Sequence, residues 1–294
     1  MSITSVSEFV EVILQRSSAR NKIVSYRGHG SVDFELQPSI FRKNNTKENE
    51  HILLRELIAA HPEDFHGDTS ALETLVRMQH YSLPTRLLDV TFNPLVALYF
   101  ACEPAKKRVI VNRDGKKSSR TLDINGQVVI LTVAKHRIRY FDSDTVSCLA
   151  NLSRLSWSHK KQIKTHLSLI KFNETLPIKR LLHFIRQEKY GFLDEIKPSD
   201  LDSIILVKPK QNNKRILAQA GAFFVFGLDD IIESGSIDGI NVEYLTISAK
   251  SKPRILEELD RLGINEKTMF PEIERAARYI TGTMSLADSA SRVI

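Results

Sequence analysis

Arg86, Asp89, Thr91 and Asn93 fall within one short stretch, QHYSLPTRLLDVTFNPLVALYFAC from Gln79 to Cys102, directly ahead of a helix start. A guanidinium, a carboxylate, a hydroxyl and a carboxamide delivered to a helix N-terminus can bind an anion and act on what it carries. Pro84 ends the preceding element, Thr85 to Thr91 reads as a short strand, and Asn93-Pro94 opens a helix. Asn suits the cap, and Pro at the first helical position gives up an N–H that had no partner there. The strand period puts Leu87, Asp89 and Thr91 on one face and Arg86, Leu88 and Val90 on the other, so Asp89 and Thr91 can act together. Gln79 and His80, ending the previous helix, can point into the same cleft. The plainer alternatives are an Arg86–Asp89 ion pair that fixes the turn, and Thr91 and Asn93 as helix-capping residues, which does not exclude ligand contact.

A second candidate lies upstream. Ile23 to Arg27 reads as a strand ended by Gly28 and Gly30, with Ile23, Ser25 and Arg27 on one side. Arg27, after Tyr26 and beside flexible backbone, is either a surface ion-pair residue or a ligand clamp. Arg215 and Gln219, in RILAQAG, flank a turn and either join the site or satisfy backbone groups. His61, Asp64, His66 and Asp68 match no metal-ligand spacing, being interrupted by Pro62 and Gly67, and read as a polar loop; no metal is expected. The chain lacks a Walker loop, a three-glycine dinucleotide fingerprint, a nucleophile elbow and HExxH, which excludes the enzyme classes built on them.

The elements that must position these groups read as one domain over residues 1–294, with a frayed tail over 281–294. A helix over Val6 to Arg16 has Ser5 and Glu8 in capping-box spacing. Two scaffold helices follow, one carrying Ile52, Leu53, Leu57 and Ile58, the other from Ser70 to His80. Residues 106–120, KKRVIVNRDGKKSSR, form a basic hairpin around Asp114-Gly115, equally readable as a solvated loop or a phosphate-backbone contact. Strands are expected at Gln127–Ala134, Ser203–Val207, Ala222–Phe226 and Val242–Ile247. Two closing helices are expected, one from Ser251 to Gly263 and one from Pro271 to Ile280. Of the 294 residues 42% are hydrophobic, enough for a core, and the net charge of +7 favours a phosphate-bearing or acidic partner. Cys102 and Cys148 alone suggest no disulfide framework, and Met1 to Gln15, with Glu8 and Glu11, does not read as a secretory leader. The longest apolar run, Leu95 to Cys102, is far short of the roughly 20 residues that span a bilayer. A cytoplasmic protein without membrane contact is expected.

Most of the chain resembles the FRG domain family. Tyr26-Arg27-Gly28 is similar to the motif that names the family, and Gln79 through Thr85-Arg86-Leu87-Leu88-Asp89 to Asn93-Pro94 and Ala97–Ala101 is similar to its longest signature. Arg215–Phe224 and Phe270-Pro271 are similar to later blocks; Val90 replaces a usual tryptophan and Ser82 a common glycine. A weaker resemblance links the chain to ADP-ribosyltransferases of the arginine/serine/glutamate type, with Tyr26-Arg27-Gly28 similar to the first block and Thr91, Ala97 and Phe100 to the second. That resemblance implies an α+β fold of central mixed or antiparallel sheets with flanking helices, and NAD as co-substrate. It implies Tyr26, Arg27, Gly28, Gln79, Arg86, Thr91, Asn93 and Arg215 around the dinucleotide, with Arg27 on the pyrophosphate and Thr91 near the nicotinamide. The third-block glutamate is missing from the corresponding strand, RILAQAG, so either Gln219 replaces it, or Asp89 supplies the charge from another strand, or the fold is inactive and binds a nucleotide without cleaving it. The expected function is ADP-ribosylation of a nucleic acid, RNA favoured over DNA, or of a protein, by a bacterial toxin or antiphage effector held by an antitoxin protein. The alternatives are a non-catalytic nucleic-acid-binding or sensor module and, with less support, a nuclease using Asp89 and a metal.

Overall fold

Short runs of Val, Ile, Leu and Phe, punctuated by Gly and Asn-Pro, lay down the strands, and amphipathic helices return the chain between them. The computed structural model describes residues 2–16, 22–113, 116–232, 236–272 and 279. Its strands are β1 (Ser2–Ile3), β2 (Lys22–His29), β3 (Leu87–Thr91), β4 (Lys106–Arg113), β5 (Lys116–Asp123), β6 (Gly126–Ala134), β7 (Ile138–Tyr140), β8 (Ile204–Lys208), β9 (Gly221–Phe226), β10 (Ser236–Ile237) and β11 (Ile240–Ile247). Among the described residues, nine of them form one sheet in the order β1-β11-β6-β2-β3-β9-β8-β7, with β10 on β11, while β4 and β5 pair separately. The β1–β11 and β7–β8 pairs are parallel and the others antiparallel, so the protein has a large mixed sheet flanked by helices.

Alternation assigns the strand residues to three cores. Leu88, Val90, Val129, Leu131, Phe224 and Val242 pack on one face beneath Leu36, Ile40 and Phe41. The opposite face is covered in two halves. Over β2, β6 and β11 lie Phe9 of the Val6–Leu14 helix, Val96, Ala97 and Leu98 of the Pro94–Ala101 helix, and Ile255 and Leu259 of the Lys252–Arg261 helix. Over β3, β8 and β9 lie the Ala71–His80, Asp144–Asn151 and Leu176–Glu188 helices.

Several expectations need correction. β2 does not stop at Arg27 but runs through Gly28 to His29, all paired with β6. The segment RILAQAG is not a strand: Lys214–Ala218 is a short helix, Gln219 caps it, and only Gly221 enters β9. A short helix, Glu266–Met269, was not anticipated; the helix expected from Pro271, beyond Glu272 and apart from Tyr279, and the tail over 281–294 lie outside the described residues. The hairpin strands extend to Asp123, and its turn residues 114 and 115 also lie outside them. Ser82, standing where glycine is common, has φ of +64°, the left-handed conformation glycine adopts most easily.

Gly28 is a packing requirement. The Pro94–Ala101 helix crosses β2 so closely that a Cβ at position 28 would lie 2.0 Å from the Ala97 carbonyl oxygen and 2.6 Å from the Ala101 nitrogen. Both are backbone atoms, and the helix must move to admit a methyl group. Gly28→Ala is therefore expected to cost about 3 kcal/mol of unfolding free energy, at the upper end of ordinary overpacking, read by urea denaturation.

Candidate functional site

β2 and β3 lie side by side at the centre of the sheet, yet Tyr26↔Thr91 is their only paired register. Both strands continue past that point, β2 to His29 and β3 back to Leu87, without forming the next rungs. In place of a rung, the Arg27 guanidinium reaches across and donates from Nη1 to the main-chain carbonyl of Asp89. Where the strands part, a cleft of about 350 Å³ opens, lined by Tyr26, Arg27, Gly28, Asp89, Thr91, Arg215 and Gln219. Its size falls in the range of roughly 300–1,000 Å³ typical of small-molecule sites. Because Ile23, Ser25 and Arg27 share one face of the sheet while Leu87, Asp89 and Thr91 share the other, the cleft receives groups from both faces.

Arg27 Nε donates to His29 Nε2 at 3.0 Å, and the Asp89 carboxylate stands 4.0 Å from Nη1. Nη2 makes no hydrogen bond among the described residues, and Arg27 lines the cleft. Burial lowers the guanidinium pKa, opposed by Asp89, but an arginine keeps its charge at any working pH. Asp89 is more open, its side chain 57% exposed, and Gln79 Nε2 donates to Oδ2 at 2.5 Å. Gln79 also accepts from the Thr85 hydroxyl and lines a smaller neighbouring recess with His80, Asn213 and Arg215.

The hydroxyl of Thr91 is committed to the fold. It donates to the Gln219 carbonyl at 2.6 Å and accepts from the Asn93 N–H at 2.9 Å, so Thr91 meets the cleft as wall. Asn93 does not line the cleft: its Oδ1 accepts from Leu95 N–H at 3.0 Å as a helix cap. Gln219 Nε2 donates to the Met269 carbonyl at 2.9 Å, and Arg215 stacks on Phe270 with its guanidinium carbon 4.7 Å from the ring centre. Arg215 has no side-chain hydrogen bond among the described residues, which leaves a second guanidinium open to the cleft.

His29, Phe34, Arg42, Glu103, Phe100 and Phe270 also line the cleft and were not singled out from sequence. His29 had a signal, since position i+2 from Arg27 on a strand shares its face; Arg42 and Phe34, on a loop, had none. Arg27, Arg42 and Arg215 against Asp89 and Glu103 leave the lining net positive, as a phosphate-bearing ligand requires.

The FRG domain family model matches residues 22–109. That match opens at the first residue of β2 and ends in β4, so it holds Arg27, Asp89 and Thr91 but not Arg215, Gln219 or Phe270. No curated protein and no solved structure matches the chain. No helix among the described residues is long and apolar enough to cross a membrane, and no group of His, Cys, Asp and Glu among them could hold a metal ion.

Arg86, also within the match, is not in the cleft and is not paired with Asp89. It is 1% exposed, on the opposite strand face, where Nε donates to Glu50 Oε1 at 2.8 Å and Nη1 to the Phe226 and Gly227 carbonyls, each at 2.9 Å. Glu50 Oε2 accepts from Arg86 Nη2 and from Lys160, both at 2.5 Å, which ties the Glu50–Ala60 helix and the Trp157–Lys160 turn to the end of β9. The sequence hint was Glu50 itself, one helical turn before buried Leu54. Burial acts to raise the Glu50 carboxyl, but the charges and hydrogen bonds of Arg86 and Lys160 outweigh it and bring the pKa from its usual 4.5 down to about 2. Lys160 falls to about 8, burial outweighing Glu50. A carboxylate with a depressed folded pKa stabilises fully above its unfolded value, and that contribution is lost as the pH falls through the folded one. Urea midpoints should therefore decline from about pH 4.5 towards 2, and Glu50→Gln should flatten that decline; Glu50→Ala, which strands two buried cations, should cost about 3–5 kcal/mol at neutral pH.

Proposed function

We propose that the cleft binds NAD and that the protein is an ADP-ribosyltransferase. The observation that carries this reading is Arg27: a guanidinium held on two arms at the point where the central strands separate, on the lining of a cleft of about 350 Å³. Arg27, with Arg215 and Arg42 on the same lining, suits a pyrophosphate, and Tyr26, Phe100 and Phe270 offer apolar walls to flat rings.

In the transfer, the bond between the ribose carbon and the nicotinamide nitrogen breaks and its electron pair leaves with neutral nicotinamide. A lone pair of the acceptor forms the new bond to that carbon, and the acceptor's proton passes to a base or to solvent. The ribose carbon becomes positive on the way, and a carboxylate stabilises it best. Gln219, tied to Met269, fits as wall and not as a substitute acid; Asp89, oriented by Gln79 and reachable from solvent, fits as the acid of the site. The acceptor we favour is nucleic acid, RNA before DNA, because the β4–β5 hairpin forms its own two-stranded sheet with Lys106, Lys107, Arg108 and Arg120 exposed. A chain that modifies nucleic acid where NAD is abundant fits a cytoplasmic toxin or antiphage effector that needs a neutralising protein. The same hairpin supports the second reading, a nucleic-acid-binding module that makes no use of NAD.

One assay separates the two. The purified protein is incubated with labelled NAD and RNA, DNA or protein, and both transferred label and released nicotinamide are measured. Arg27→Ala and Asp89→Asn should each lower transfer by about 10²-fold or more, and Asp89→Asn, at an exposed carboxylate, should do so with the urea midpoint unchanged. Salt-sensitive RNA binding with neither transfer nor nicotinamide release would reject the transferase and leave the binding module.

A further inference from the structure

We propose that His29 is the positioning residue for Arg27: an uncharged acceptor that sets the direction of the guanidinium while leaving its positive charge to an anionic ligand in the cleft. This rests on reading the cleft as a phosphate site.

Arg27 and His29 are two residues apart on β2 and so project to the same face, which brings Nε to 3.0 Å from the imidazole Nε2. The ring is itself fixed. It is 3% exposed, Gln127 contacts Nδ1 at 3.1 Å, and Phe34 stands edge-on with ring centres 6.0 Å apart. With Nε on His29 and Nη1 on the Asp89 carbonyl, the plane of the guanidinium is set and Nη2 is left without a hydrogen bond among the described residues. An unrestrained arginine would lose several rotamers on binding a ligand; this one has lost them already.

Buried arginines are ordinarily held by carboxylates, as Arg86 is held by Glu50. At Arg27 the partner at Nε is a histidine, and that histidine stays neutral: burial first, then the nearby charges of Arg27 and Arg42, bring its pKa to about 3, against a single opposing hydrogen bond to Phe34. Accepting from Arg27 at Nε2 places the ring hydrogen on Nδ1, where the Phe34 backbone accepts it and the Gln127 amide nitrogen is a packing neighbour. The carboxylates that act on the cation, Asp89 and Glu103, make no hydrogen bond to it: Asp89 Oδ2 lies 4.0 Å from Nη1, is largely exposed and also accepts from Gln79. A carboxylate at position 29 would hold Arg27 equally well and cancel its charge.

The test is isothermal titration of inorganic pyrophosphate, and of ADP-ribose, into the wild-type protein and into His29→Gln, His29→Leu and His29→Glu, with a urea midpoint for each. Gln places a neutral acceptor near the position of Nε2, Leu removes the acceptor, and Glu restores the hydrogen bond while adding the opposing charge. Dissociation constants should stay within about threefold of wild type for His29→Gln and rise by about tenfold or more for His29→Leu and His29→Glu, with His29→Glu the weaker binder of the two even where it is the more stable. Should His29→Glu not fold, Gln against Leu still decides. Binding by His29→Glu equal to wild type, or His29→Gln as weak as His29→Leu, would overturn the proposal. Wild-type protein that takes up neither probe removes the phosphate site altogether, a pattern distinct from the other two.

Discussion

A sheet that pairs at one register and then parts needs something to hold the parting strands, and in this protein that is the guanidinium of Arg27. Its bond to the Asp89 carbonyl satisfies an acceptor that a ladder N–H would otherwise fill. The same act places a permanent charge at the head of a cleft. Around it the fold is arranged to keep the opening: Gly28 lets the Pro94–Ala101 helix close on one side, and Thr91 and Gln219 fasten the loop before β9 on the other. Phe270, beneath Arg215 and edge-on to Phe100, follows the Glu266–Met269 helix and adds a further wall.

Two arginines, Arg86 and Arg27, meet opposite fates, and the difference is in their partners. Arg86 is saturated by Glu50 and two carbonyls and has no edge left for a ligand; its work is to join helix, turn and sheet through the core. Arg27 has one neutral partner, one carbonyl and one unused edge. Buried ion clusters contribute fixed geometry more dependably than net stability, and the Glu50 cluster fits that pattern by fastening three separated stretches of chain behind the strand that carries Asp89.

Local signals in the sequence were enough for much of this. Ser5, Ser70 and Asn93 cap the helices expected of them, Asp114-Gly115 falls between two paired strands, and β3 lies where alternation puts it. Arg27, Asp89 and Thr91 meet in space, although capping already uses the Thr91 hydroxyl. What was not legible depends on distant partners. Strand parity separates Arg86 from Asp89 but cannot say that Glu50 and Lys160 wait on the far face. RILAQAG has the apolar spacing of either a strand or a single helical turn, and contacts with the Glu266–Met269 helix and Phe270 accompany the helical choice. Nothing local marks the loop residues Arg42 and Phe34 as neighbours of Arg27.

We propose that the gap between β2 and β3 is a nucleotide site organised by Arg27. A crystal structure of the protein soaked with ADP-ribose tests it most directly. The account predicts pyrophosphate oxygens within about 3 Å of the open edge of Arg27, with the ribose facing Asp89. Ligand density bound elsewhere on the molecule, with Arg27 still directed only at His29 and Asp89, would contradict it.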